Sequence, residues 1–366
     1  MKNYLNIMIA GAHGYAGQIF MHLVQRHPKL QLTGIIQKIS QATGINPHYP
    51  CYTPEQLITH NIYTDVIVLA TPPAESQQLV YTLSKQCNLL IDLSGAFRLP
   101  AAQYQQWYQQ VHQHPQLLMQ AHYGLSPWTQ HAVKHKHLIA NPGCYATAAL
   151  MALMPLVKHN VIDPTDIIID AKSGATGAGK QLNHELLFCE LNENFYAYKI
   201  GCHQHTPEIT NQLNQVSALP CHIILTTQLL PIKRGIALTI YANVDNPHHT
   251  EAHVRNAIAH AYQSSYGNYP LLDWVDFQHD AMLAKQYLAL TSVIGTAKTH
   301  IVFSVQQHKI LLFVCLDNLM KGCASQAVEN INAYYDWPLN TGLVPPTSTY
   351  DQTNTTIYSQ EAVACS

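Results

Sequence analysis

Two short segments and one scarce residue type could do nucleophilic, acid–base and anion-binding chemistry. The first is Asn141-Pro142-Gly143-Cys144-Tyr145-Ala146-Thr147. A strand-like run precedes it and an apolar run, Ala146 to Val157, follows it, so Cys144 falls in the first turn of a helix. The partial positive charge at a helix start favours a thiolate, and the pKa of Cys144 is expected to fall. Pro142 and Gly143 form a turn that can present the sulfur. A free cysteine is otherwise a small buried apolar residue. Cys87, Cys189, Cys221 and Cys315 lack such a setting and read that way, whereas Cys144 reads as a nucleophile.

The second segment is Cys202-His203-Gln204-His205-Thr206-Pro207-Glu208. Thr206 is expected to cap a helix that opens with Pro207 and Glu208. His203 and His205 then sit just before a helix start, where the neutral imidazole of a general base is favoured. A metal held by Cys202, His203 and His205 is the alternative. Their spacing is tight for one ion and no second ligand pair accompanies them, so no metal site is expected. The chain has 23 histidines, so the setting and not the residue type singles out this pair.

The third feature is a scarcity. The arginines are Arg26, Arg98, Arg234 and Arg255. Arg98 and Arg234 stand at strand–loop junctions, and a guanidinium grips carboxylate or phosphate with two donors. Both are candidate anion clamps; ordinary surface salt bridges are the other reading.

A cofactor site accompanies them. Gly11-Ala12-His13-Gly14-Tyr15-Ala16-Gly17 follows the first strand-like run and opens a helix. Glycines at this spacing let a pyrophosphate approach the backbone at the helix start. NAD binders usually carry an acid at the end of the next strand. Here the run is Ile36-Gln37-Lys38-Ile39-Ser40, and Lys38 and Ser40 suit a 2′-phosphate, which favours NADP. Lys172-Ser173-Gly174-Ala175-Thr176-Gly177-Ala178-Gly179-Lys180 also follows a strand. Its amides can hold phosphate oxygens or a nicotinamide amide; a flexible glycine loop is the alternative. No Gly-Lys-Ser/Thr closes it, so it is not a triphosphate loop.

The elements that position these segments change character along the chain. Asn6 to Ala10, Leu30 to Ile36, Asp65 to Ala70, Leu89 to Leu93 and Leu138 to Ala140 read as strands, with a helix from about Gln18 to Arg26. Strands alternating with helices indicate a parallel α/β sheet. Beyond about residue 160, longer strands are expected at Ile167 to Ala171, Ile223 to Gln228, Ile236 to Val244, Thr291 to Val293, His300 to Val305 and Ile310 to Cys315. Helices are expected at Glu251 to Gln263 and Cys323 to Tyr334. This reads as an α+β domain whose sheet can support dimerisation. The tail after Thr347 is rich in Thr and Ser and is expected to be loosely held.

The 366 residues suffice for two domains. A net charge of −2 without a basic run argues against nucleic acid as partner. The longest apolar stretch is too short for a bilayer. The start, Met1-Lys2-Asn3-Tyr4, lacks a signal-peptide pattern. Nine cysteines without a CxxC pair fit reduced thiols and a cytoplasmic location.

Together the motifs resemble the N-acetyl-gamma-glutamyl-phosphate reductases of arginine biosynthesis, relatives of aspartate-semialdehyde dehydrogenase. The resemblance runs from Asn6 to about Leu343. It is carried by Asn141 to Tyr145, His203 to Ile209, Asn192-Glu193-Asn194-Phe195, Leu230-Pro231 with Arg234-Gly235-Ile236, and Asp317-Asn318-Leu319-Met320-Lys321-Gly322. It implies a Rossmann-type parallel sheet over residues 1–143 and an α+β catalytic and dimerisation domain over 144–317. A returning helix over 318–346 and a loose tail over 347–366 complete the chain. It implies Cys144 as nucleophile and one of His203 and His205 as acid–base residue. NADP is expected against Gly11, His13, Gly14, Tyr15, Ala16, Gly17, Lys38, Ser40, Ser173, Gly174, Gly177, Ala178 and Asn318. The substrate, a small acyl phosphate, is expected against Arg98, Asn141, Glu208 and Arg234. A homodimer or homotetramer is expected. His13 stands where the family usually has Ser or Thr, and Lys180 where it often has Arg. Ala96 replaces a frequent acid, and Lys233 adds charge beside Arg234. Two alternatives are a sister reductase of lysine synthesis that works on a carrier protein and a non-enzymatic NADP-binding regulator. The first needs added basic surface, which this chain does not advertise; the intact Cys144 and histidine pair argue against the second.

Overall fold

The five strand-like runs of the first half all enter one parallel sheet. The computed structural model describes residues 4–37 and 49–344. Its first sheet holds β1 (Leu5–Ala10), β2 (Leu30–Ile36), β3 (Cys51–Tyr52), β4 (Thr64–Leu69), β5 (Cys87–Asp92), β6 (Ala121–Tyr123) and β7 (Leu138–Ala140). They lie in the order β3-β2-β1-β4-β5-β7-β6. β3 and β6 are two and three residues long, too short to show a period in the sequence. The connecting helices are α1 (Tyr15–Arg26), α2 (Pro54–Thr59), α3 (Pro73–Leu83) and α4 (Ala101–Tyr108). The chain runs outward from β1 to β3, then returns to β4 and builds the other side. The strand order therefore reverses between β1 and β4, and a crevice opens beyond their carboxyl ends.

α5 (Cys144–Lys158) leaves this sheet and enters the second layer. Every residue from Tyr145 to Val157 is buried, which explains why the run reads as uniformly apolar. The second sheet is mixed. It holds β8 (Ile162–Ser173), β9 (Tyr196–Tyr198), β10 (Ile223–Leu229), β11 (Ile236–Val244), β12 (Leu272–Asp276), β13 (Thr299–Gln306) and β14 (Lys309–Leu316), in the order β12-β13-β14-β11-β8-β10-β9. Its helices are α6 (Phe188–Leu191), α7 (His205–Asn214), α8 (Glu251–Tyr266) and α9 (Ala281–Tyr287). Ile167, Ile169 and Ala171 of β8 point to the inner face, where α5 packs. Tyr262 and Tyr266 of α8 donate to the carbonyls of Ala152 and Met151 at 3.0 and 2.8 Å, which pins α8 to α5. Burying each large apolar side chain here contributes about 1.5–3 kcal/mol.

Thr291 to Val293 is not a strand. Leu290–Ser292 forms a 3-10 turn. Ser292 Oγ takes its hydrogen bonds locally, donating to Ala289 O at 2.7 Å and meeting His300 Nδ1 at 2.9 Å. Such local bonds offer the backbone an alternative to a ladder. After β14 the chain makes a π turn, Met320–Ala324, and continues as α10 (Ser325–Tyr334). α10 packs on α1, and His27 Nε2 meets Asn332 Oδ1 at 3.1 Å. α1, the π turn, α10 and α5 thus share one apolar core between the two sheets.

Candidate active site

The turn that carries Cys144 grows from the carboxyl end of β7. The Asn141 amide donates to Asp92 O at 2.9 Å and continues the ladder with β5. Pro142 and Gly143 then turn the chain, and α5 opens at Cys144 with Gly143 as its N-cap. A Cβ on Gly143 would lie 2.2 Å from His205 Nε2 and 2.8 Å from Arg98 Nη1. Only glycine fits here, and both side chains stand against the residue preceding the cysteine.

Arg98 is neither an exposed salt bridge nor an open clamp. Its side chain is 7% exposed. Nε donates to Asn141 O and Nη2 to Leu93 O, both at 2.8 Å. Nη1 faces Glu208 Oε2 at 3.5 Å and is the one guanidinium nitrogen not tied to a carbonyl. Glu208 is also buried; its Oε1 accepts from the Gly143 amide at 2.8 Å and from Tyr123 Oη at 2.7 Å. Burial opposes the Arg98 charge, but Glu208 and its neighbours more than offset this, and the guanidinium stays protonated. Asn141 Nδ2 donates to Cys323 O at 3.1 Å, and its Oδ1 accepts from Asn330 Nδ2 at 3.1 Å. Arg98, Glu208 and Asn141 therefore build the turn; Arg98 Nη1 and Glu208 Oε2, which accepts no hydrogen bond, are the edges of the three that remain.

Thr206 does not cap the histidine helix. α7 begins at His205, with Gln204 at the N-cap, and Thr206 lies inside the first turn. His203 takes the acceptor role instead: its Nδ1 accepts the His205 amide at 3.2 Å. The two rings are 4.7 Å apart, but their surroundings differ. His203 is packed edge-on against Tyr145 and Tyr198, whose hydroxyls meet at 3.0 Å. Burial, with His205 and Lys199 adding to it, pushes the His203 imidazole down to about 2. His205 turns Nε2 toward Gly143, 3.9 Å from Glu208 Oε2, while its buried Nδ1 has no hydrogen-bond partner. Burial, then Arg98 and Lys199, hold its pKa well below the usual imidazole range. Both rings are neutral.

The Cys144 thiol moves opposite to expectation. Burial pushes it up to about 11; Arg98 and the backbone amides at the helix start pull the other way and do not prevail. Desolvation here outweighs the partial charge of the helix. The resting pair is thus thiol and neutral imidazole. Cys87, Cys221 and Cys315 are buried as expected, whereas Cys189 is exposed. Cys202 is exposed too, and among the described residues no three His, Cys, Asp or Glu side chains gather to hold a metal ion.

The glycine segment occupies the crevice between β1 and β4. Gly11 has φ 81°, and a Cβ on it would lie 2.2 Å from Ala70 O. A Cβ on Gly17 would lie 2.2 Å from Gly11 O, so α1 rests directly on its own turn. Gly14 caps α1 without a side-chain bond, and the helix has no acid in its first turn, where Tyr15 and Ala16 lie. The leading amides of α1 are left for an anion. The residues present therefore fit a dinucleotide. His13 is exposed beside this turn, and burial and Lys180 lower its pKa. Lys38 and Ser40 lie outside the described residues.

The second glycine loop reaches over the same crevice. Ser173 is buried at the end of β8, the Gly174 amide bonds Gly235 O at 2.9 Å, and Gly177 and Ala178 fall in an exposed 3-10 turn, Ala175–Ala178. Beyond it, Lys180 Nζ lies 3.3 Å from Gln18 Oε1 and 5.0 Å over the Tyr15 ring. Asn318 ties this loop down: Oδ1 accepts the Gly235 amide at 2.8 Å and Nδ2 donates to Thr176 Oγ1 at 3.1 Å. Arg234 pairs with the buried Asp317 at 2.7 Å. Reading the sequence missed Tyr123, Tyr145, Tyr198 and Asp317 as parts of the site. Asp317 lies in the Asp317 to Gly322 segment and Tyr145 beside the cysteine itself; Tyr123 and Tyr198 carry no local signal, because only the fold brings them to the turn.

Residues 6–136 match the family model described as semialdehyde dehydrogenase, NAD binding domain, and residues 144–318 match semialdehyde dehydrogenase, dimerisation domain. The chain is 34% identical over 348 residues to the N-acetyl-gamma-glutamyl-phosphate reductase of Campylobacter jejuni subsp. doylei, covering 93% of this chain and 98% of the relative. It is 37% identical over 352 residues to the enzyme of that name from Shouchella clausii, at the same coverage. Aspartate semialdehyde dehydrogenase II from Vibrio cholerae shares the fold, with a TM-score of 0.67 at 13% identity, over 91% of this chain and 99% of that one. The chain is an oxidoreductase and belongs to the N-acetyl-gamma-glutamyl-phosphate reductase family.

Proposed function

We propose that this enzyme uses NADPH to reduce N-acetyl-gamma-glutamyl phosphate to N-acetylglutamate semialdehyde, with release of phosphate, as a cytoplasmic step of arginine biosynthesis. The observation that carries the reading is the meeting of Cys144, His205 and Arg98 at Gly143, at the carboxyl edge of the dinucleotide sheet. The names of the relatives supply the substrate.

Cys144 attacks the acyl carbon, and the C–O bond to phosphate breaks. A neutral His205 is suited to accept the thiol proton as the S–C bond forms. An anionic substrate raises the pKa of a neighbouring imidazole, which makes His205 a better proton acceptor with substrate bound than in the free enzyme. The Nη1 edge of Arg98 and the leading amides of α5 face the oxygen that gains charge. The nicotinamide, when bound, would supply the hydride for the reduction. His205 then returns its proton to the oxygen and helps to take it back as aldehyde and thiol separate. His203 keeps His205 in place through its amide and does not carry the proton.

The first-turn amides of α1, Gly11, Gly14 and Gly17 would hold the pyrophosphate, with the Ser173–Ala178 loop and Asn318 toward the nicotinamide. Lys38 and Ser40, with no acid near them in sequence, support NADP over NAD. In this reading residues 1–143 carry the cofactor, 144–317 the chemistry and the subunit contact, and 318–346 the returning helix. The outer face of the second sheet supports a homo-oligomer. Ile224, Ile168 and Tyr241 are aligned side by side across β10, β8 and β11, and all three are exposed.

The test runs the reaction backward, with N-acetylglutamate semialdehyde, phosphate and NADP. NADPH should accumulate only when all three are present. Failure to form it with this semialdehyde, together with turnover of another aldehyde, would reassign the substrate.

A further inference from the structure

The π turn after β14 touches the nucleophile. The Gly322 amide bonds Asp317 O and the Ala324 amide bonds Leu319 O, both at 2.9 Å, five residues apart in each case. This wider turn lays Gly322 against Cys144: a Cβ there would lie 2.9 Å from Cys144 Cβ and 3.3 Å from its Cα. On the next residue, the Cys323 carbonyl accepts from Asn141 at the other end of the cysteine turn. The turn is therefore braced from two sides by one short segment.

A buried ion pair holds that segment. Lys321 and Glu329 are both 0% exposed. Lys321 Nζ donates to Glu329 Oε1 at 2.7 Å and Oε2 at 3.0 Å, to Gln326 Oε1 at 2.7 Å and to Tyr269 Oη at 2.6 Å. Tyr269 Oη donates to Glu329 Oε2 at 2.6 Å. Gln326 Nε2 and Asn330 Nδ2 both reach Gly124 O, and Asn330 continues to Asn141. An enclosed pair of this kind gains little stability over well-packed apolar residues, because each ion gives up its water. A π turn strains a helix and recurs at functional sites. The pair and the turn stand together where Cys144 is gripped.

We propose that the Lys321–Glu329 pair is a positioning element for the nucleophile: it fixes the π turn so that Gly322 braces Cys144 against the acyl carbon. The proposal rests on the reading of Cys144 as nucleophile. Neither charged residue touches Cys144; both act through Gly322 and Asn141.

The test compares Lys321→Met/Glu329→Leu, Glu329→Gln, Gly322→Ala and Cys144→Ala with the wild type. The readouts are kcat, KM, NADPH binding, thermal unfolding and the rate at which iodoacetamide alkylates Cys144. The double variant should stay folded and bind NADPH as the wild type does. Its kcat should fall about 100-fold with KM nearly unchanged, the loss expected for a misplacement of about 1 Å. Its alkylation rate should change as well. Gly322→Ala, whose Cβ presses on Cys144, should lower kcat by a direct route. Glu329→Gln, which keeps the side chain's size, should lower kcat as the double variant does and keeps the proposal testable if that variant does not fold. Wild-type kcat and alkylation in both pair variants, with Cys144→Ala inactive, would overturn the positioning role and leave the nucleophile standing. Turnover by Cys144→Ala would overturn both.

Discussion

The amide of Gly143 donates to Glu208 Oε1 at 2.8 Å. This bond joins the residue before Cys144 to the helix that begins with His205, and so ties the proposed nucleophile to the proposed proton acceptor. Glu208 also receives Tyr123 and faces Arg98, and it is buried.

Glu208→Leu should therefore damage stability and activity together. It leaves the Arg98 guanidinium buried without its counter-charge, a loss of about 3–5 kcal/mol for a broken buried pair. Urea unfolding should show the midpoint falling with an unchanged slope. A variant as stable as the wild type would mean that Arg98 does not depend on Glu208 as its counter-charge.

The raised thiol pKa gives a pH signature. The reactive thiolate is the deprotonated form, so raising the pKa to about 11 moves its appearance to higher pH. Alkylation of Cys144 in the free enzyme should keep rising as pH increases from 6 to about 9, by close to tenfold per unit. A plateau near pH 7 would show a resting thiolate–imidazolium pair and contradict the neutral thiol–imidazole pair. Adding inorganic phosphate should not bring the plateau down, since an anion disfavours the thiolate.

Cofactor choice is testable at Lys38. Turnover with NADPH should exceed turnover with NADH at equal concentration, and Lys38→Asp should shift the preference toward NADH by offering the ribose hydroxyl an acceptor. Equal rates with the two cofactors in the wild type would end this assignment.

The row Ile224, Ile168, Tyr241 should lie between subunits. Ile168→Asp places a charge in the middle of the row, and in sedimentation it should shift the enzyme toward a smaller species. An unchanged oligomer would place the subunit contact elsewhere on the chain.

What could be read from the residues alone follows from the range of the physics involved. The strand from Leu30 to Ile36 is bounded within the sequence as in the structure, because its alternation is local. The cysteine turn and glycine loop are legible for the same reason: Pro, Gly and a helix start dictate them within seven residues. The direction of the Cys144 shift is not legible, because desolvation comes from elements distant in sequence, including Gly322 from the π turn. Arg98 shows the same limit. Its junction position is visible, but its two carbonyl partners become apparent only when β5 and β7 lie side by side. Which histidine faces the turn depends on α7 starting two residues earlier than Thr206 suggests, with a His203 ring nitrogen in place of the cap hydroxyl.

Mass spectrometry of the protein with N-acetyl-gamma-glutamyl phosphate and no NADPH reads the covalent step on Cys144 without any later chemistry. A single acyl adduct should appear, released by hydroxylamine and mapping to Cys144 alone among the nine cysteines. Cys144→Ser should give no such thioester and lose nearly all turnover while still binding NADP. An adduct on another cysteine, or near-normal turnover by Cys144→Ser, would contradict the mechanism.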